Sequence, residues 1–214
     1  MEDEHIIEAQ RSSRDIAAAD FESDEWNAAR PVRLTRYWSG REAPSSRQAE
    51  ARIIWTPDAL CVRFVCAQAE PLIKSDTPQV EQKTLGLWDR DVCEIYVATD
   101  AQNPQRYLEF EAAPTGEWLD LSIEHKDGER LTGWRFNSGM SAAAHIGEGV
   151  ITIALRVPWP AFGRAPQPDE RWRVNLFRCV GAGPERGYLA WQPTRAPEPN
   201  FHVPSAFGWL RFKE

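Results

Sequence analysis

Four cysteines and two methionines among 214 residues leave little for soft-metal, disulfide or thioether chemistry. No C-x-x-C pair occurs, which removes the usual zinc and thioredoxin-type readings. Cys61 and Cys66 lie on one expected strand at odd spacing, so they face opposite sides and cannot bridge each other; Cys93 and Cys179 fall on other strands. All four read as buried reduced thiols. No run approaches the ~20 apolar residues of a membrane helix. The opening MEDEHIIEAQRSSRD has no apolar core of signal-peptide length, so a cytoplasmic chain is expected, or an extracytoplasmic one if a leader has been removed. There is no N-x-[ST] sequon. An excess of basic charge is also missing: the net charge is −7, which argues against nucleic acid or an anionic membrane surface as partner. No G-x-S-x-G, H-E-x-x-H or phosphate loop is present, and His125, His145 and His202 show no metal-ligand spacing.

Helical periodicity is nearly absent too, apart from a weak stretch around Asp15 to Ala19. What is there instead is alternation. Ala51, Ile53 and Trp55 alternate, T-P-D-A turns, and Leu60, Val62, Phe64 and Cys66 alternate again as a hairpin. Val32 and Leu34 precede it. Trp118 to Ile123, Trp134 to Asn137, Met140 to Ile146 and Val150 to Val157 follow, with Leu119, Leu121 and Ile123 expected to face inward. Pro158 to Phe162 breaks the last of these as a short turn or 3₁₀ segment. Trp172 to Val180, apolar on both faces, is expected in the sheet centre, and Tyr188 to Trp191 and Phe207 to Phe212 close the chain. About ten short strands and no firm helix predict a single all-β domain, an antiparallel, jelly-roll-like β-sandwich over residues 26–214. Residues 1–25 are expected as an N-terminal arm, either partly disordered or pairing as a strand.

The central stretch is Leu87 to Asp120. Along Asp91 to Ala98, Cys93, Ile95 and Val97 share one face and Val92, Glu94 and Tyr96 the other; along Arg106 to Ala112, Leu108 and Phe110 oppose Tyr107, Glu109 and Glu111. Antiparallel pairing of the two apolar sets gathers Glu94, Tyr96, Tyr107, Glu109 and Glu111 on one face. Two readings compete. One is a solvated outer face, where glutamates meet water; the other is a shallow polar site with Trp88 at its lip, approached by the long loop Glu70 to Gly86.

An ordered set of motifs carries a family likeness. Trp88 lies six residues before the Glu of D-x-x-E-I-Y-V, followed by Y-L-E-F-E with its P-T-G turn, A-L-R-V-P-W, W-R-V-N-L-F-R, W-Q-P and P-S-A-F-G-W-L. The order resembles the carbohydrate-binding modules of family 9 from about Trp26 to the end. The resemblance implies an antiparallel sandwich, non-catalytic, of a kind usually attached to xylanases and related glycoside hydrolases. It implies a mono- or oligosaccharide ligand, often bound at a chain end between two tryptophans, with a Glu, an Arg and an amide on its hydroxyls. On that basis Trp88 and Glu94 are the first tryptophan and the glutamate, Arg106, Glu109 and Glu111 lie in the segment of further polar contacts, and the second aromatic is Trp191 or Phe201, the latter beside the amide Asn200. Arg178 is a ligand donor or a salt-bridge partner for Glu94. Trp55, Trp118, Trp134, Trp159, Trp172 and Trp209 read as structural.

Such a site has a physical logic. A sugar ring stacks its C–H face on an aromatic, and carboxylates accept charge-assisted bonds from its hydroxyls. Water competes for each bond, so each nets only ~0.5–3 kcal/mol and affinities in the micromolar to millimolar range are expected. The alternatives are a structural or interaction sandwich that binds no sugar, and a glycoside hydrolase using Glu94 with Glu109 or Asp120 as paired carboxylates. Related sandwiches also carry haem, but Met1 and Met140 are the only methionines available to it. No cofactor is expected; calcium is the one metal considered, with Asp89, Asp91, Asp100 and Asp120 as oxygen donors outside any EF-hand pattern.

Overall fold

The computed structural model describes residues 5–214, so of the expected arm Met1 to Glu4 lie outside the described residues. The rest of that segment contributes a strand, β1 (Ile6–Arg11). It is followed by β2 (Val32–Leu34), β3 (Arg36–Tyr37), β4 (Ala49–Trp55), β5 (Ala59–Ala67), β6 (Val92–Ala98) and β7 (Arg106–Ala112). The chain continues through β8 (Trp118–Lys126), β9 (Glu129–Gly133), β10 (Ser141–Gly147), β11 (Val150–Pro158), β12 (Arg171–Val180), β13 (Gly187–Ala190) and β14 (Gly208–Lys213). Among the described residues the only helical elements are short 3₁₀ turns; Asp15 to Ala19, expected as a weak helix, is irregular with a turn at 18–19.

The strands form one hydrogen-bonded path, β10-β11-β5-β4-β1-β14-β12-β6-β7-β8-β9, with β2, β3 and β13 attached at its side. The wholly antiparallel expectation is corrected at one place. β1 pairs parallel with both β14 and β4, which makes the sheet mixed. Alternation within a strand fixes which residues face the core but not the direction of a distant partner, so the two ends of the chain meet unannounced. The path curls until its limbs face each other: Ile53, Val62, Phe64, Ile153 and Leu155 from one limb share a core with Ile95, Phe110, Val174, Leu176 and Phe212 from the other. Met140 is buried in that core rather than offered to a ligand.

The β6–β7 register is the one that parity demands: Glu94 opposite Glu111, Ile95 opposite Phe110, Tyr96 opposite Glu109, Val97 opposite Leu108. Cys93, Ile95, Val97 and Phe110 enter the inter-limb core. The opposite face does not meet water. Leu87, Val92, Tyr96, Tyr107, Leu119, Leu121, Ile123, Phe177, Cys179, Phe201 and Phe207 form a second core on it. In β8, Leu119, Leu121 and Ile123 are buried as expected, in this second core, but the other face is not turned outward: Asp120 is buried and Trp118 packs on the inter-limb core. Both faces of the hairpin are covered, and apolarity alone does not distinguish them. Similarly, Trp134 to Asn137 is a turn, and the strand lies just before it as β9.

Candidate functional site

On the second face, a cleft of about 310 Å³ is lined by residues from β6, β7, β8, β9 and the loop before β14, Glu94, Tyr96, Glu109, Trp88 and Trp134 among them. That volume is at the small end of the range for ligand pockets. Trp88 stands in the 3₁₀ turn Leu87–Asp89, which Gly86 starts at φ +77°. Leu87 is fully buried beneath it and the Arg186 guanidinium donates to the Trp88 carbonyl at 2.8 Å, so the turn is anchored while the indole is 37% exposed.

Beside it is Trp134, 50% exposed, its ring 6.3 Å from Trp88 centroid to centroid at 47°. It leaves β9 at Gly133, where a Cβ would sit 2.1 Å from the Ser122 hydroxyl and force that side chain to turn, and the pairing of β9 with β8 sets Trp134 at the rim. Arg130 and Thr132 precede it at strand spacing and line the same cleft. Sequence reasoning placed Trp134 with the structural tryptophans. The alternation Arg130, Thr132, Trp134 was the available signal, and assigning the strand a few residues too late hid it.

The loop before β14 supplies Asn200, Phe201 and His202. Phe201 is 8% exposed and stacks on Phe177 at 4.1 Å and 13°, so its ring is committed to the protein on one face. His202 donates or accepts at the Tyr107 hydroxyl through Nδ1 at 2.8 Å, and burial, reinforced by Arg130 and His125, pushes its imidazole down to about 3. It is neutral.

At the floor are the glutamates. Glu94, Glu109 and Glu111 are 1%, 2% and 0% exposed, which excludes the solvated-face reading. Glu94 is pushed up to about 8 by burial and by the charge of Glu109. The Tyr96 hydroxyl bonds to it and the Cys179 thiol donates to Oε1 at 3.6 Å, but neither offsets the burial. Burial also raises Glu109, against bonds from Glu111 and Tyr96. Glu111 goes well above the carboxylate range through burial and then the charges of Glu94 and Glu109. As carboxylates, Glu109 and Glu111 have nothing to donate to each other, and Glu109 Oε2 and both Glu111 oxygens lack a partner; with a proton on Glu111 the two bond together. Glu94 and Glu109 face the cleft, and Glu111 lies behind them.

The structure thus brings Trp88, Glu94, Glu109, Asn200 and Phe201 to one cleft. Three expected residues lie elsewhere. Arg106 is on the exposed surface, paired with Glu124 at 2.7 Å. Arg178, opposite Cys93 in register, points away from Glu94 and holds the Arg47 and Gln48 carbonyls and Gln68. Trp191 packs on the inter-limb core, over Gly208. Nor does Asp120 pair with Glu94: it faces Lys83 and accepts from the Ser138 amide at 2.6 Å. The long loop 70–86 packs Val80 and Lys83 against β8 rather than over the cleft. The four aspartates considered for calcium do not converge; the one group of at least three acids whose ligand atoms do, among the described residues, is Glu94, Glu109 and Glu111.

Comparison with known proteins places this geometry in a family. The structure superposes on a protein described as carbohydrate-binding from Bacteroides uniformis with a TM-score of 0.74 and 17% identity, over 97% of this chain and 99% of the other. A carbohydrate-binding module of family 9 from Caldicellulosiruptor kristjanssonii, in complex with glucose, gives 0.67 and 14% over 97% and 95%. The cellotriose complex gives 0.65 and 13% over 97% and 93%. At such identities these matches establish the fold. In sequence, an "Extracellular protein" of Arthroderma benhamiae is 25% identical in an alignment of 141 positions that covers 59% of this chain and 62% of that protein's length. The model of the carbohydrate family 9 binding domain-like family matches residues 20–214, nearly the whole chain, and the protein belongs to that family.

Proposed function

We propose that the cleft binds a sugar, at one ring or at the end of an oligosaccharide, without catalysing a reaction on it. One observation carries this reading: two exposed tryptophans and a pair of buried glutamates line one cleft of ligand size, together with an amide, Asn200. Trp88 and Trp134 offer the apolar surface on which a pyranose stacks, and Glu94 and Glu109 take its hydroxyls. Trp134 occupies the place for which Trp191 and Phe201 were considered, and Arg130 the place of the guanidinium. A Glu94 carboxyl poised near neutrality accepts from a hydroxyl when ionised and donates when protonated, so it serves either polarity of bond.

The family membership and the glucose- and cellotriose-bound relatives support the reading. Isothermal titration of glucose, cellobiose, xylobiose and galactose into the wild type and Trp88→Ala tests the proposal. Saturable heat with at least one sugar, lost in the folded variant, is expected. No heat with any sugar at millimolar concentration would leave the fold as a structural or interaction domain.

A further inference from the structure

The six buried acidic residues among the described residues divide into two groups. Glu117 meets Arg90 at 2.9 Å, Asp120 meets Lys83, and Asp91 accepts from the amides of Gly181 at 2.8 Å and Ile73 at 3.3 Å. Among the described residues, Glu94, Glu109 and Glu111 have no lysine or arginine in ion-pair contact; the His202 imidazole, 3.9 Å from Glu109, is neutral. One oxygen of each converges within 4.8 Å of the other two, and three carboxylate oxygens in the group have no hydrogen-bond partner. Three acids so placed need positive charge between them, as protons or as a cation.

We infer that Glu94, Glu109 and Glu111 form a binding site for a divalent cation of calcium size, set into the wall of the cleft. The donors are all oxygen, which suits a hard ion. The three oxygens lie within 4.8 Å of one another, close enough to share one ion. Three carboxylates on one ion favour calcium over magnesium, which sheds its water reluctantly and is more often held by one or two. Glu111 is fully buried, and as a carboxylate both its oxygens are without a partner. Glu94 and Glu109 border the cleft, which gives the ion its way in and lets water complete its coordination. The ion displaces the protons that the three acids otherwise share. The site shares Glu94 and Glu109 with the sugar reading but calls for no sugar.

The test uses the whole chain, stripped with chelator, and titrates calcium chloride and magnesium chloride separately without sugar, by calorimetry and thermal melting near pH 7.5. One calcium per chain, a raised melting temperature, and weaker binding of magnesium are expected. Glu111→Gln, which keeps the shape of the side chain, is expected to stay folded and to lose calcium affinity at least tenfold. Neither heat nor a melting shift with calcium would overturn the site, as would undiminished calcium binding in folded Glu111→Gln. Should the latter variant not fold, Glu109→Gln supplies the same comparison. A protein that binds calcium and no sugar, or sugar and no calcium, separates the two proposals.

Discussion

Asp120 and Glu111 sit in neighbouring strands, each fully buried, and their surroundings differ in kind. Asp120 points to the inter-limb side, where Lys83 reaches in from the long loop and the Ser138 amide caps the other oxygen. Glu111 points the other way, toward Glu94 and Glu109, with no cation beside it. The first arrangement is complete in itself and ties a loop to a strand. The second is complete only with something added, a proton, an ion or a ligand hydroxyl. Within one protein, depth of burial alone does not distinguish a structural acid from a functional one; what the acid finds at the end of its side chain does.

The comparison predicts opposite responses to pH. The folded chain holds Glu94 protonated up to about 8, against an ordinary 4.5, and Glu109 and Glu111 are raised as well. Between those values the folded state binds more protons than the unfolded one, so stability falls as pH rises through the window, on the order of ~3–5 kcal/mol for the shift at Glu94. At the acid end the sign reverses. Bonds from Thr115 and Arg90 outweigh burial and hold Glu117 low, and Arg164 holds Glu170 at about 2, so their contribution is lost as pH falls below the ordinary carboxylate value. Melting curves without metal should therefore peak at roughly pH 5 and decline toward pH 9; a flat profile from 5 to 9 would mean that the glutamates find partners not seen here.

Removing the structural partner is the next largest effect. Lys83→Met leaves Asp120 buried without its cation and should cost ~3 kcal/mol, a fall of about 6–12 °C in melting temperature. Glu111→Gln at pH 8 should do the reverse and raise the metal-free melting temperature by a few degrees, since it takes away a buried acid that has no counter-charge. Trp88→Ala, at an indole more than a third exposed, should move the melting temperature by under ~3 °C while abolishing sugar heat. Arg106→Ala should change neither binding nor stability by more than ~0.5 kcal/mol, because its pair with Glu124 is on the surface.

Much of this was legible in the residue order. Strand alternation alone gave the β6–β7 register and collected Glu94, Tyr96, Glu109 and Glu111 on one face, because side-chain period two leaves no second solution once one face is apolar. Trp88 stood out by its place between a loop and two aspartates. What escaped depended on partners distant in sequence. Nothing in Ile6 to Arg11 names Gly208 to Lys213 as a parallel neighbour. Arg178 and Trp191 look like site residues until the curl of the sheet turns them to the inter-limb side. Leu121 and Ile123 look like core and are the core, of the other face, where they also border the cleft. Trp134 was hidden by a strand boundary, among 10 tryptophans of which several are structural.

The most direct test is a titration of cellobiose and glucose into the wild type and into Glu94→Gln at neutral pH, with a thermal melt of each protein. The account predicts that Glu94→Gln melts no lower than the wild type, since its acid has no counter-charge to lose and the amide oxygen can still accept from Tyr96 and Cys179, and binds sugar at least tenfold more weakly. A variant that melts well below the wild type yet binds sugar as tightly would contradict it, and would make Glu94 a structural acid like Asp120.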